Sequence, residues 1–210
     1  MENELRTLLK EVVADAHLHG KFLNSLSLME NSGARKIAAF EHPVHTGITV
    51  LKHAAEEFRH AFYLKKQIGK LEGVILEDYA AETLLASTAS RQLLNKLDVA
   101  VCRLLMEEYS LPFAQAKEGA YLLVTYAIEV RADMLYGAYQ ECLTAAGSKV
   151  NVKSIIVEEE GHLAEMTSML EGFTPDWKIM AAQACALEEK YFAEWIAAVA
   201  QEVTAKAPAL

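Results

Sequence analysis

The chain contains the sequence Glu-x-x-His twice, in two separate helical stretches. The first copy spans Glu57 to His60 and the second spans Glu159 to His162. A spacing of three residues places a carboxylate and an imidazole on the same face of a helix, with Cβ atoms about 5–6 Å apart. Iron and manganese accept both kinds of ligand. The two copies therefore predict that these residues coordinate metal.

Both copies interrupt an apolar helix face. Burying a carboxylate in such a face is costly unless it is paired or bound to a metal. Apolar residues recur at helical spacing on the same face as each motif. The pattern thus favours buried metal ligands over charged side chains in solvent. The residues that share the face of the first copy are Val50, His53, Ala54, Ala61 and Leu64, and those that share the face of the second are Val152, Ile155, Ile156, Leu163 and Met166.

Two further glutamates, Glu30 and Glu129, each lie alone on an apolar face. Glu129 ends a run of nine mostly apolar residues, so its position requires an explanation. Glu30 is followed by Asn31, Ser32 and Gly33, so a helix end at this point is an alternative interpretation. In chain order, a single-Glu helix and a Glu-x-x-His helix alternate twice. The same-face neighbours are Leu23, Leu26, Ala34 and Ile37 for Glu30, and Leu122, Tyr126, Ala132 and Tyr136 for Glu129.

The register within the two motifs stays open at the level of sequence. Glu56 and His60, like Glu158 and His162, are four residues apart and also lie on one helix face. Either glutamate of each adjacent pair is therefore a candidate ligand. An exposed acidic run is the alternative for residues 158–160.

The elements that must position these residues are helices. Gly and Pro number only 10 and 4 among 210 residues, and helical periodicity extends over nearly the whole chain. We therefore predict an all-α fold in one domain, residues 1–210. Gly20 is predicted to interrupt the first helix, His42–Pro43 to open the second, and residues 207–210 to fray. The first predicted helical segment ends at about residue 40. The others cover about residues 42–68, 76–106, 113–146, 150–170 and 176–204.

The order of the ligands resembles that of the ferritin-like di-iron carboxylate superfamily, and their spacing is similar to that of the aldehyde-deformylating oxygenases. In that superfamily two helices each give one Glu and two each give Glu-x-x-His. His60 and Glu129 are 69 positions apart, which leaves room for a long crossover helix. The resemblance covers about residues 20–170. It implies a ferritin-like four-helix bundle with a crossover helix and an additional C-terminal helix.

The resemblance also implies the role of each residue. Two iron ions, or manganese in their place, would be held by Glu30, Glu57, His60, Glu129, Glu159 and His162. Glu57 and Glu159 would bridge the metals or bind one each, and the other glutamates would be terminal ligands. Asp133 and His53 are candidates to hold the histidine rings. His17 and His19 are predicted to be exposed. Four tyrosines could lie near the metals or in the apolar core: Tyr63, Tyr126, Tyr136 and Tyr139.

Composition limits the partners. A formal net charge of −9 disfavours nonspecific nucleic-acid binding. No apolar run reaches the roughly 18–20 residues of a membrane span, and the first residues do not form a secretory signal, so a cytoplasmic location is predicted. Cys102, Cys142 and Cys185 form no CxxC pair, which favours free thiols. An apolar stripe on the last helix predicts packing against the bundle or against a second copy in a homodimer.

Three functions are consistent with the residues. The favoured one is an oxidoreductase that uses O2 and an external electron donor to oxidise an apolar substrate in a channel lined by apolar side chains. The second is a ferroxidase, peroxide scavenger or iron store. The third is a helical interaction protein without metal, in which both motifs arise by chance. The predicted channel residues are Leu23, Leu26, Val50, Leu122 and Tyr126.

Overall fold

A computed structural model describes residues 2–42 and 44–206, with side chains at every one of these positions except 160 and 206. Within this part of the chain the regular structure is helical and contains no β-strand, which confirms the predicted all-α class. The predicted frayed tail at 207–210 lies outside the described residues. The helices are α1 (Glu2–Ala14), α2 (Ala16–Phe40), α3 (Ile48–Ile68), α4 (Ser87–Glu107), α5 (Phe113–Ala145), α6 (Lys153–Phe173) and α7 (Trp177–Lys206), with a short 3-10 turn at Ala81–Thr83.

The break in the first predicted helix falls at Asp15, so the prediction of a break at Gly20 is wrong. The Asp15 side chain caps α2 by accepting a hydrogen bond from the backbone N–H of Leu18 at 2.8 Å. Gly20 lies within α2, and a Cβ there would come within 2.5 Å of a methyl carbon of Val74. Gly20 therefore allows the segment that follows α3 to pack closely against α2.

The third helix begins later than the sequence predicts. The prediction places its start at His42–Pro43, but α3 begins at Ile48, and Pro43 itself lies outside the described residues. The backbone N–H groups of Val44 and His45 donate hydrogen bonds to His42 Nδ1 at 3.2 and 3.1 Å. This local cap stabilises a turn before the helix, which explains the later start.

Helix α4 also begins later than predicted, at Ser87 instead of about residue 76. Polar side chains of α2 hold the preceding segment in a non-helical conformation by satisfying its backbone groups. Asn24 Nδ2 donates to the carbonyl oxygens of Asp78 and Thr83, each at 2.9 Å. Ser25 Oγ donates to the Leu85 carbonyl at 3.1 Å and accepts from the Leu85 N–H at 2.9 Å.

Four of the helices meet around one region of the interior. Helix α2 packs antiparallel to α3, and α5 packs antiparallel to α6. Contacts such as Phe40 with Tyr121 connect α2 to α5, and those of Glu56 with His162 connect α3 to α6. Helix α4 packs against α2, α5 and α7, and α7 covers α4 and α5. This arrangement directs one face of α2, α3, α5 and α6 towards a common space.

The buried apolar residues form two neighbouring clusters. One is centred on aromatic side chains, with Phe22 stacked on Trp195 at 5.9 Å between ring centroids. The other lies between α4, α5 and α6 and includes Leu97, Leu123 and Met166. Among the described helices, none is both long enough and apolar enough to cross a lipid bilayer.

Candidate metal centre

The six residues predicted to bind metal come together between α2, α3, α5 and α6. Glu30 comes from α2 and Glu129 from α5, while α3 and α6 each supply one Glu-x-x-His pair. Five of the six are buried and Glu30 is half-buried. The side chains group into two overlapping sets whose ligand atoms lie within 4.8 Å of one another. One set is Glu57, Glu129, Glu159 and His162, and the other is Glu30, Glu57 and His60.

The carboxylates of Glu57 and Glu159 lie between the two histidines. Nδ1 of His60 is 3.1 Å from Glu159 Oε1 and 3.8 Å from Glu57 Oε2. Nδ1 of His162 is 3.3 Å from Glu159 Oε2 and 3.8 Å from Glu57 Oε1. Each of these two carboxylates thus directs one oxygen towards each imidazole. Glu129 Oε2 adds a further contact to His162 Nδ1 at 3.5 Å.

The outer nitrogen of each histidine is held by a glutamate from the opposite helix. His60 Nε2 on α3 lies 3.0 Å from Glu158 Oε2 on α6. His162 Nε2 on α6 lies 2.7 Å from Glu56 Oε2 on α3. A carboxylate beside Nε2 accepts a hydrogen bond from Nε2–H and leaves Nδ1 directed at the centre. Glu56 and Glu158 therefore take the holding role, and Glu57 and Glu159 face the centre.

Glu30 is held from α5. The hydroxyl of Tyr136 donates a hydrogen bond to Glu30 Oε1. Tyr136 is buried, and it is the member of the four predicted tyrosines that contacts a candidate ligand. Tyr63 instead donates to Asn151 Oδ1 at 2.7 Å, and Tyr139 pairs with His19.

Several polar atoms at the centre lack hydrogen-bond partners within the described structure. They are buried, and an unpaired buried polar atom is costly. A metal ion would satisfy all of them, because nitrogen and carboxylate oxygen are its usual ligands. The residues present therefore fit a metal, and the buried group is compatible with a metal site. These atoms are Nδ1 of His60, Nδ1 of His162, Oε2 of Glu129 and Oε2 of Glu159.

The electrostatics of the group are strongly perturbed. Burial opposes the charged imidazoles, but the carboxylates of Glu159 and Glu57 outweigh it and raise the pKa of His60 to about 11. Glu129 and Glu159 outweigh burial in the same way and raise the pKa of His162 to about 11. Burial and the charge of Glu57 raise the pKa of Glu30 well above its usual range. Protons therefore occupy the cluster when no metal does.

A cavity of about 240 Å³ lies beside the cluster. Glu30, Glu57 and Glu129 form part of its wall, together with Gly33. The remaining wall is mostly apolar, with charged side chains from α2, α4, α5 and α7. The apolar lining includes Leu26, Met29, Ile37, Leu93, Leu94, Val124, Ile128, Leu135 and Phe192, and the charged lining residues are Lys36, Arg91, Asp98, Arg131 and Glu188.

Several secondary predictions are corrected by the structure. Asp133 is exposed and does not hold a histidine ring. His53 is buried, but its Nε2 contacts Glu165 Oε2 at 2.6 Å, while its ring packs on that of His162 at 4.7 Å between centroids. His19 is buried, not exposed, and its Nε2 lies 2.6 Å from the Tyr139 hydroxyl. Burial lowers the pKa of His19 to about 4.

The predicted apolar channel is found only in part. Leu26 lines the cavity beside the carboxylates. Val50 and Leu122 line two separate surface hollows, neither of which includes a residue of the cluster. The cavity itself is lined by residues of α2, α3, α4, α5 and α7.

Two polar contacts near the site were not found by sequence reasoning. Glu165 lies one turn beyond His162 and binds His53 and Lys52. Its spacing of three residues from His162 was a signal in the sequence that it lies on the same helix face. Arg131 lies two residues beyond Glu129 and forms a bidentate ion pair with buried Glu188 of α7, at 3.0 and 2.8 Å from Nε. The position of Glu188 on an apolar helix gave no indication of its partner.

Comparison with protein-family models, with curated proteins and with solved structures finds no match to this chain.

Proposed function

We propose that this protein is a two-metal oxidoreductase that uses O2 to oxidise an apolar substrate, on a ferritin-like four-helix bundle formed by α2, α3, α5 and α6. Helix α4 serves as the crossover between the two helix pairs, and α7 is the additional helix. The metals are two iron ions, with manganese as the alternative. The observation that carries the proposal is the convergence of unpaired Nδ1 and Oε2 atoms beside a mostly apolar cavity.

The positions of the six residues support a paired site over a single one. Glu57 belongs to both ligand sets, and Glu159 approaches both histidines. These two glutamates suit bridging positions between the ions. Glu30 with His60 would complete one coordination sphere, and Glu129 with His162 the other.

When bound, a reduced iron pair supplies the electrons that activate O2, so that a C–H or carbonyl group nearby can be oxidised. The protein side chains perform the remaining tasks. Glu158 and Glu56 fix the tautomer of the histidines through Nε2. The hydroxyl of Tyr136 holds Glu30 at the edge of the cavity. The apolar wall excludes water and orients the substrate against the three carboxylates.

The cavity is the feature that favours oxidation of an organic substrate over iron storage. A storage or ferroxidase site requires no organic pocket, whereas this cavity borders Glu30, Glu57 and Glu129. Small-molecule sites are typically apolar with few polar groups at one end. A small or medium-chain apolar substrate fits this description. Re-reduction of the iron pair would require an external electron donor.

An isotope experiment tests the proposal. The protein is loaded with iron(II) without oxygen, mixed with a series of alkyl aldehydes and hydrocarbons, and exposed to ¹⁸O₂. We expect about two iron ions per chain and an oxidised product detected by mass spectrometry. Iron oxidation that continues to many ions per chain without an organic product would instead support the ferroxidase. A chain that binds no metal would leave the interaction protein as the remaining hypothesis.

A matched pair of glycine variants tests the role of the cavity separately from metal binding. Gly33→Val adds a side chain into the cavity without removing a ligand, since a Cβ at Gly33 meets only Glu57 Oε2, at 3.9 Å. Gly137→Val is the control, because Gly137 is also helical, has open space around its Cα and lies away from the cavity. We expect both variants to bind iron and only Gly33→Val to lose substrate oxidation.

A further inference from the structure

Helix α3 carries a stripe of apolar residues that faces solvent, on the side opposite its metal-binding face. The stripe, here the α3 seam, consists of Ile48, Leu51, Ala55, Phe58 and Phe62. All five are exposed, with exposed fractions of 84% for Ile48 and 62% for Phe62. Their spacing alternates between three and four residues along the helix. This is the repeat that packs one helix against another helix in a coiled coil.

We infer that the α3 seam is the interface through which two copies of this chain form a two-fold symmetric dimer. The four large side chains of the seam, Ile48, Leu51, Phe58 and Phe62, are 84%, 50%, 43% and 62% exposed. With about 200 Å² for a fully exposed large apolar side chain, they present roughly 480 Å² of apolar surface. An interface of standard size buries about 800 Å² per partner, and a homodimer interface is roughly 65% apolar. The seam alone therefore supplies more than half of the apolar area that such a dimer requires.

The adjoining surface of α6 suits a second copy of the seam. Gly161, Ala164 and Ser168 are exposed on α6, together with Val157. The ion pairs of Lys52 with Glu165 and of Arg59 with Glu158 show that α6 lies beside α3. In a two-fold dimer each surface meets a copy of itself, and large side chains need small residues to pack against. If the seam on α3 of each copy packs on the α6 face of the other copy, the two-fold axis produces the same contact twice.

The charges around the seam favour a protein partner over an anionic membrane surface. Lys52 and Arg59 flank the seam, but Lys52 Nζ binds Glu165 at 2.7 Å and Arg59 Nε binds Glu158 at 2.9 Å. The neighbouring glutamates of α6 therefore neutralise these two basic side chains, while a third, Lys66, places its Nζ 5.5 Å from the centre of the Phe62 ring. The chain as a whole carries a formal charge of −9, which would repel anionic lipids.

Analytical ultracentrifugation at micromolar concentration tests the dimer. We expect the wild-type chain to sediment at twice its mass of 23.2 kDa. Phe62→Glu should weaken the dimer by at least about tenfold, because a charge would be buried in an apolar interface. Val99→Glu is the matched control, since Val99 is also a helical, exposed apolar residue, on α4. It should sediment as the wild type does.

Three results would overturn the inference: a monomeric wild type, a Phe62→Glu variant that remains dimeric, or a wild type that binds vesicles of anionic phospholipid through the seam. The inference does not rest on the proposed function. Phe62→Glu leaves every candidate ligand in place, so its metal content should equal that of the wild type. Loss of the dimer with metal retained would thus be distinguishable from failure of the metal site.

Discussion

The two sides of the Glu/His cluster differ in how their side chains are held. On the side of α3 and α6, each histidine has a carboxylate from the opposite helix on Nε2, and His53 packs against His162. On the side of α2 and α5, Glu30 and Glu129 border a cavity, and Oε2 of Glu129 lacks a hydrogen-bond partner in the described structure. We refer to the side of α3 and α6 as the braced side and to the side of α2 and α5 as the open side.

This difference indicates a division of labour within the proposed site. Braced imidazoles set where the metals lie, because their tautomer and orientation are fixed by neighbouring carboxylates. Carboxylates beside open space can change position when the substrate arrives. Substitutions on the braced side should therefore affect metal binding first, and those on the open side should affect the reaction first.

The largest expected effect comes from Glu159→Ala. Glu159 is buried and directs one oxygen at each histidine, so its loss would remove the ligand that the proposed site shares between its two metals. We expect the iron content to fall from about two ions per chain to a small fraction of that value, measured by plasma mass spectrometry. Glu171→Ala, on the exposed face of the same helix, is the control and should keep its iron. Full iron content in Glu159→Ala would refute the placement of the site.

Glu158→Gln and Glu56→Gln test the brace itself. Each replaces a carboxylate on Nε2 by an amide of the same shape, which weakens the hold on the histidine. We expect each substitution to lower metal affinity by about 10–100-fold, measured by competition with a chelator. Glu165→Gln serves as the control, because Glu165 holds His53, which is not a candidate ligand. An equal loss of metal affinity in all three variants would mean that the general negative charge, not the hydrogen bond to the histidine Nε2, sets the affinity.

Metal binding should also release protons. Since the pKa values of His60 and His162 are raised to about 11, both imidazoles are protonated in the metal-free protein at neutral pH. Each must lose its Nδ1 proton to bind metal, so the apparent affinity should rise by roughly tenfold or more per pH unit. Calorimetric titrations in buffers of different ionisation enthalpy measure the released protons directly. Heats that are identical in all buffers would contradict the prediction.

The same pKa values determine the pH range over which the metal-free protein is stable. A histidine whose pKa is higher in the folded than in the unfolded state contributes stability that is fully present below its unfolded value of 6.5. That contribution is lost as the pH rises towards 11. Thermal unfolding between pH 7 and 10 should therefore show the metal-free protein losing stability as the pH increases.

The smallest expected effect is that of Tyr136→Phe, on the open side. The substitution removes the hydrogen bond to Glu30 but keeps the ring in place. We expect near-normal iron content, a loss of roughly 1–3 kcal/mol in the free energy of unfolding of the metal-free protein, and an altered rate of O2 consumption. A loss of iron as large as that of Glu158→Gln would show that the open side fixes the metals as much as the braced side does.

The candidate site could be predicted from sequence because its signals are local. A carboxylate and an imidazole three residues apart on an apolar face identify the helix and the face, and their order along the chain suggests which helices meet. The choice between Glu56 and Glu57 could not be predicted, because both lie on the same side of α3. It depends on the position of His162 on another helix.

The fold was predictable in class but not in its connections. The prediction of a helix from residue 76 failed because Asn24 and Ser25, more than 50 residues earlier, bind the backbone of that segment. The break at Asp15 carried a local signal, an aspartate that accepts from the N–H three residues later. The burial of His19 had none, since its partner Tyr139 lies on a distant helix.

The most direct test is a crystal structure of the iron-loaded protein with anomalous scattering recorded at the iron edge. We expect two anomalous peaks between α2, α3, α5 and α6, one bonded to His60 Nδ1 and the other to His162 Nδ1, with Glu57 and Glu159 between them. An absence of anomalous density within this cluster, or iron bound only at the surface, would contradict a buried two-metal site.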